Sequence, residues 1–207
     1  MDLHPNLSPR TLLCIGKDAE ARRLVAESLS QFELVFTETA LDALRNLNAR
    51  AFDGYVSDYW LSDWTGPQLC RAIRDLDPHC PVVFFTAAAG EQNRSRAVRA
   101  GASAYVCHAE QPEALEPAVR RVLSLSDSSS LAAKPRMEQA VLREIVRCKA
   151  KGADAARTDL AESFVERSAR KRAYNTFIEA GGCRAHFERW WPHVFTSARA
   201  ASNALPA

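Results

Sequence analysis

Four polar positions follow short apolar runs in the first half of the chain. Asp58, Thr86 and His108 each end or follow such a run, and Gly16-Lys17-Asp18 follows the first one. If the runs are parallel strands, these groups gather at the carboxyl edge of one sheet. The chemistry expected there is that of one carboxylate near a hydroxyl, an ammonium and an imidazole. Because no nucleophile–base pair and no phosphate-cradling glycine loop accompanies them, we expect no catalytic residues and no enzyme.

The elements that would position these groups alternate along residues 11–125. The apolar runs are Leu12-Leu13-Cys14-Ile15, Leu34-Val35-Phe36, Tyr55-Val56, Pro81-Val82-Val83-Phe84-Phe85 and Ala104-Tyr105-Val106-Cys107. Each is short and continuously apolar, as strands covered on both faces are. The stretches between them place apolar residues three and four positions apart, the helical period. The alternation predicts an α/β domain, a (βα)5 doubly wound parallel five-stranded sheet.

Three stretches of this region carry a family resemblance. They are the segment from Asp58 to Gly66, the pair Thr86-Ala87, and the segment from Ala100 to Val106. In this order, at predicted strand ends, they resemble the receiver domain of two-component response regulators. The resemblance implies that a histidine kinase phosphorylates Asp58 and that Thr86 contacts the phosphoryl group. It also implies that Tyr105 is an aromatic switch that turns inward on activation.

The sequence departs from the family pattern where the resemblance implies a magnesium site. Gly16 and Lys17 replace the acidic pair, and His108 replaces the lysine after the fifth strand. Asp18, one position further on, is expected to cap the first helix. Of three expected carboxylates only Asp58 remains, and Mg²⁺ needs oxygen ligands, usually with one or two carboxylates. We therefore expect no cofactor, with magnesium binding lost or weak.

Two hypotheses follow for this changed site. In the first, the receiver is degenerate and works without phosphorylation. Lys17 then either pairs with Asp58, locking one state, or points into water. In the second, Asp58 is still phosphorylated, with Thr86 retained and His108 as a weak cation below its pKa of about 6.5. The first hypothesis, a degenerate receiver, argues against a histidine kinase as a partner.

Composition limits the class of protein. The chain has 207 residues, of which 47% are hydrophobic and 25% charged, as in an ordinary globular protein. No apolar run approaches the length of a membrane span, and the first residues do not resemble a secretory signal. We therefore predict a cytoplasmic location and no membrane partner. The six scattered cysteines are predicted to be reduced and mostly buried.

Charge divides the chain into two parts. Residues 1–133 hold 13 basic and 17 acidic residues, a net charge of −4, whereas residues 134–207 hold 14 and 8, a net charge of +6. We predict an N-terminal tail at 1–10, a receiver-like domain at 11–125, a serine-rich linker at 126–135 and a small all-α output domain at 136–202. Its helices are expected at 136–150, stopping near Gly152, at about 158–180 and at about 184–201, with Gly181-Gly182 as a cap.

The basic half admits two interpretations. A turn near Glu166–Ser168 would make residues 158–180 a helix-turn-helix. Its second helix would present basic and polar side chains to DNA phosphates or base edges: Arg170, Lys171, Arg172 and Asn175. Otherwise the segment is one amphipathic helix of a bundle. The aromatic residues Phe187, Trp190, Trp191 and Phe195 form either its core or a partner face. The spacing of Cys183, His186 and His193 does not suit a zinc site, so no metal is expected.

Together these features predict a signalling regulator. Its receiver-like half would control a basic helical output domain that binds DNA and regulates transcription. The alternative is an adaptor whose helical domain binds another protein or a second copy of the chain.

Overall fold

A computed structural model describes residues 9–150 and 159–203 of the chain. The chain divides into two compact units, and the boundary lies between Ser126 and Asp127. Residues 1–8 of the predicted tail at 1–10, and the predicted helix stop near Gly152, lie outside the described residues. No helix within the described ranges is long and apolar enough to cross a lipid bilayer.

The first unit is an alternating α/β structure. Its strands and helices are β1 (Thr11–Ile15), α1 (Ala19–Ser28), β2 (Glu33–Thr37), α2 (Ala40–Ala49), β3 (Gly54–Ser57), α3 (Gly66–Leu76), β4 (Val82–Thr86), α4 (Glu91–Arg99) and β5 (Ala104–Cys107). A short 3₁₀ turn, Pro112–Ala114, leads into α5 (Leu115–Ala150). The five strands are parallel and lie in the order β2-β1-β3-β4-β5. The predicted fold class is therefore confirmed.

The sheet places the carboxyl ends of β1, β3, β4 and β5 along one edge. Every residue of β3 and β4 is buried, because helices cover both faces of the sheet. Ile15 pairs with Ser57 and Thr86 pairs with Cys107 in the strand register. Residues that directly follow these positions are consequently neighbours, which is why the polar groups of this edge meet.

Helix α5 corrects the predicted linker. The serine-rich stretch 124–130 and Pro135 lie inside this continuous helix of 36 residues. Serine disfavours a helix only slightly, and burial outweighs that preference. Ser130 is fully buried, and its hydroxyl accepts a hydrogen bond from the Cys183 N–H at 3.1 Å. Met137 and Val141 continue the buried stripe beyond the proline.

The second unit contains the rest of α5 together with α6 (Asp159–Glu179) and α7 (Arg184–Asn203). Of the two interpretations of this segment, the structure shows the single helix, because α6 is unbroken near Glu166–Ser168. The absence of large apolar residues in that stretch had suggested the turn. Ala169 and Ala173 are in fact fully buried, so small side chains continue the apolar stripe towards Phe177 at a spacing of four residues.

Two further predictions for this unit are borne out. Gly181 adopts a left-handed backbone with φ of +95° after the end of α6, the usual conformation of a helix-ending glycine. Phe187 and Trp191 are buried, and their rings stack at a centroid distance of 5.6 Å in the core of the helical unit. In addition, all six cysteines are buried and none forms a disulfide, as predicted.

Candidate functional site

Asp58 is held by the backbone of β1 and β3. Its N–H donates to the Ile15 carbonyl at 2.9 Å, which fixes the residue beside the end of β1. One carboxylate oxygen, Oδ1, accepts hydrogen bonds from the Tyr59 N–H and the Thr86 hydroxyl, both at 2.6 Å. Asp58 is half-buried, so this carboxylate combines fixed donors with access from solvent.

A chain of hydrogen bonds leads from Asp58 to Tyr105. Thr86 is 1% exposed, and its hydroxyl oxygen also accepts the Ala88 N–H at 3.1 Å. The carbonyl of the same Ala88 accepts a hydrogen bond from the Tyr105 hydroxyl. Tyr105 is buried, with its ring stacked on that of Phe84, and burial raises the pKa of its phenol to about 12. The three residues singled out by the family resemblance are thus connected through one backbone position.

The segment after β1 carries one carboxylate, that of Asp18, in place of an acidic pair. Gly16 donates its N–H to the Thr37 carbonyl at 3.0 Å. Asp18 is the N-cap of α1, as predicted, and its Oδ1 accepts the Ala21 N–H at 2.6 Å. This hydrogen bond directs one oxygen of the Asp18 carboxylate to the first turn of α1.

The predicted ion pair between Lys17 and Asp58 is wrong. Lys17 is exposed, and the two side chains form no ion pair in the part of the chain that the structure describes. The residue lies in the short segment between β1 and the cap of α1, where its side chain is open to solvent. Asp58 therefore takes its contacts from hydrogen-bond donors rather than from this lysine.

Arg22 is the basic side chain that sequence reasoning missed at this edge. It lines a small recess together with Gly16, Asp18 and Asp58. Its guanidinium pairs with Glu38 at 3.0 Å and lies over the Phe36 ring, 5.2 Å from the centroid. The available signal was its position four residues after the capping aspartate, one helical turn into α1.

His108 is packed at the end of β5. Its N–H donates to the Thr86 carbonyl at 3.0 Å, and its ring lies 5.0 Å from the Phe85 ring. The imidazole is half-buried against this aromatic ring. The structure thus brings His108 to the predicted edge of the sheet in a packing role.

Gly66 sets the path of the loop that follows Asp58. A Cβ on Gly66 would lie 2.3 Å from the Asp58 carbonyl oxygen and 2.5 Å from the Phe84 ring. Only glycine permits so close an approach. The loop between β3 and α3 also leaves Trp60 and Trp64 exposed, by 56% and 41%.

The residues at this edge do not fit the magnesium ion that the family resemblance implies. Mg²⁺ requires near-octahedral oxygen coordination. The carboxylate of Asp18 caps a helix, Gly16 has no side chain, and Lys17 carries a positive charge. Among the described residues, no group of three or more His, Cys, Asp or Glu side chains is placed to hold a metal ion.

The four predicted DNA-contacting residues lie on α6 but are used in different ways. Arg170 forms an ion pair with Glu188 on α7. Arg172 pairs with the buried Glu144 of α5 at 2.8 Å. Lys171 and Asn175 are exposed. The two ion pairs fasten α6 to its neighbouring helices, a contribution that the sequence pattern did not indicate.

A second polar cluster joins α5 to the start of α7. The Cys183 Sγ lies 2.8 Å from His186 Nδ1, and His186 Nε2 lies 2.9 Å from an Asp127 carboxylate oxygen. Burial of His186 disfavours its charged form, but the hydrogen bonds to Asp127 and Cys183 outweigh it and raise its pKa to about 9. Cys183 is fully buried, so the cluster is part of the packing of the helical unit.

A parallel sheet with an aspartate, Asp58, after β3 and a threonine hydroxyl, that of Thr86, at the end of β4 is the arrangement of a receiver domain. The chain belongs to the response regulator receiver domain family, whose model matches residues 12–120.

Two curated proteins are similar to this chain. The response regulator protein FleR of Pseudomonas aeruginosa is 29% identical over 140 residues, covering 56% of this chain and 30% of FleR. The transcriptional regulatory protein CreB of Escherichia coli is 32% identical over 92 residues, covering 44% of this chain and 40% of CreB. The chain therefore spans less than half the length of either relative.

A solved structure shows the same likeness in three dimensions. The response regulator DrrB of Thermotoga maritima, an OmpR/PhoB homologue, is 27% identical with a TM-score of 0.52. The match covers 56% of this chain and 54% of DrrB.

Proposed function

We propose that this chain is a signalling regulator whose receiver acts without magnesium-dependent phosphoryl transfer and controls a basic helical output unit. The observation that carries the first part is the use of Asp18 as the cap of α1, with Gly16 and Lys17 in place of the acidic pair. In phosphoryl transfer, the metal bridges and neutralises the phosphoryl oxygens. Without carboxylates to hold it, Asp58 is a poor phosphoryl acceptor.

Incubation of the full chain with acetyl phosphate and Mg²⁺, followed by intact mass measurement, tests this part. The expected result is no phosphoryl adduct. Asp58→Asn is the matched control, since it removes the acceptor and retains the shape of the side chain. An adduct on the wild type that is absent from this variant would instead support a phosphorylatable receiver.

We further propose that the output is regulation of transcription through DNA. The net charge of +6 over residues 134–207 favours an anionic partner, and the two curated relatives are a response regulator and a transcriptional regulator. Because α6 has no turn, the contact would be made by a helix face and not by a helix-turn-helix. Fluorescence anisotropy of labelled duplex DNA, measured at low and high salt, tests this output through its salt dependence. No binding at low salt would refute it.

A second candidate output is protein binding, which makes the chain an adaptor. Two large apolar side chains of α5 in the helical unit support it, since Leu131 is 63% and Val146 is 42% exposed. Light scattering of the chain at several concentrations tests the form of this proposal in which two copies associate. Leu131→Ser should then weaken association, whereas Glu138→Ser, also exposed and on the same helix, should not.

A further inference from the structure

An open groove of about 570 Å³ lies between α5 and α6 within the helical unit. Ten residues line it: Arg136, Gln139, Ala140, Arg143, Glu144, Arg147, Arg172, Asn175, Thr176 and Glu179. Four of the ten are arginines and two are glutamates, so the groove carries a net positive charge. Apart from one alanine, the remaining lining residues are uncharged and polar.

Helical spacing explains why the arginines share this groove. Arg136, Arg143 and Arg147 are seven and four residues apart, so they fall on one face of α5. At a rise of 1.5 Å per residue, they span about 16 Å along the helix axis. Arg172 and Asn175, three apart on α6, face them from the other wall.

The buried Glu144 orients two of these guanidinium groups. Its side chain is 2% exposed and accepts hydrogen bonds from Arg147 Nε at 2.9 Å and from the Ser168 hydroxyl at 2.6 Å. Arg172 Nε lies 2.8 Å from the same carboxylate. Both arginines remain about half exposed, at 43% and 58%, so each keeps N–H donors for a ligand. Side chains fixed before binding lose less entropy when a ligand arrives.

The other two arginines are uncommitted. Arg136 and Arg143 are exposed and form no ion pair within residues 9–150 and 159–203. Counted together, the four arginines exceed the two glutamates of the groove by two charges. The positive charge is therefore concentrated on side chains that point to solvent.

We propose that this groove binds the phosphate backbone of duplex DNA. This inference rests on the proposed function above, in which the helical unit binds DNA, and it names the surface that makes the contact. Guanidinium groups bind phosphate oxygens through two parallel hydrogen bonds. A single small anion would engage one end of a row about 16 Å long, whereas a DNA strand presents a phosphate every 3.4 Å along its axis. The length of the arginine row therefore favours a polyanion over a free nucleotide. Gln139 and Asn175 add uncharged donors beside the row.

A pair of double variants of the full chain tests the groove. Arg136→Ala with Arg143→Ala removes two charges from it. Arg96→Ala with Arg99→Ala removes two exposed charges from α4 of the receiver unit. Binding of labelled duplex DNA is measured by anisotropy across a salt series, with circular dichroism to show that both proteins remain folded.

The groove variant is expected to weaken DNA binding at least tenfold and to reduce the slope of log K against log salt by about 1.8, the value for two lost phosphate contacts. The control variant should change binding less than twofold. If both variants lost the same DNA affinity, the groove would not be the binding site, although the proposal that the chain binds DNA would still hold. Failure of the wild type to bind DNA would refute the output and the groove together. Competition by a nucleoside triphosphate as effective as that by unlabelled duplex, at equal phosphate, would overturn the preference for a polyanion.

Discussion

The Thr86 hydroxyl donates to the Asp58 carboxylate at 2.6 Å and accepts the Ala88 N–H at 3.1 Å. Thr86 thereby links the end of β3 to the loop after β4 from a position that is 1% exposed. Thr86→Val keeps the shape but removes both bonds, and it leaves a backbone N–H without its acceptor. We expect a loss of about 1–2 kcal/mol in the free energy of unfolding.

Urea denaturation measures this loss. Thr86→Ser, which retains the hydroxyl, is the matched variant and should lose clearly less. If valine and serine destabilised the protein equally, the hydrogen bonds would not be the stabilising element at this position.

The close approach at Gly66 leads to a second prediction. Gly66→Ala would place a Cβ 2.3 Å from the Asp58 carbonyl oxygen, so the loop must shift. We expect a destabilisation of about 2–4 kcal/mol, in the range of overpacking and strain. Thermal unfolding checks it. Gly16→Ala is the control on the opposite side of Asp58, where the nearest atom to a new Cβ is 3.4 Å away and the change should be small.

A pH-dependent stability is predicted for the cluster of His186 and Asp127. The pKa of His186 is raised from its ordinary 6.5 to about 9, so the folded state binds a proton more tightly than the unfolded chain. The stabilisation is fully present below pH 6.5 and is lost as the pH rises through 9. The size of this stabilisation is on the order of 3 kcal/mol.

Unfolding free energies measured between pH 6 and 9.5 test the cluster. Asp127→Asn should remove most of the decline, because the histidine loses its carboxylate partner. His193→Gln, at an exposed position of α7, should retain it. A decline that is the same in wild type and Asp127→Asn would contradict the assignment.

For Glu144 we predict the opposite pH dependence of stability from that of the His186 cluster. The hydrogen bond from Arg147 keeps the pKa of this buried carboxyl below its ordinary value of 4.5. Its contribution to stability is present above pH 4.5 and is lost as the pH falls through the lowered pKa. Glu144→Gln should cost about 1–3 kcal/mol at pH 7, and less in acid. Glu138→Gln, exposed on the same helix, should cost under 0.5 kcal/mol by the same chemical denaturation.

Much of the receiver unit was predictable from its sequence. Helices cover both faces of β3 and β4, so most of their side chains are apolar, and that signal is visible in Val82–Phe85. Asp58 and Thr86 were predictable as neighbours because parallel strands align their carboxyl ends.

The errors arose where tertiary contacts outweigh local preference. Ser130 lies in a helix because its hydroxyl has a buried backbone partner 53 residues away, which no local pattern reveals. Ala169 and Ala173 sustain α6 by close packing, although small residues give a weak apolar signal. Lys17 is exposed in the segment between β1 and α1, so its nearness in the chain to the predicted site does not bring it into an ion pair with Asp58.

The backbone beside Asp58 remains able to accommodate a side chain at position 16. A Cβ there would lie 3.4 Å from the Asp58 Cβ, an ordinary van der Waals contact. The backbone beside Asp58 therefore leaves room for the acidic pair that the family resemblance implies at positions 16 and 17. Under the proposal of a receiver without magnesium-dependent chemistry, Gly16→Asp together with Lys17→Asp would restore two carboxylates beside Asp58 with little change in the course of the main chain.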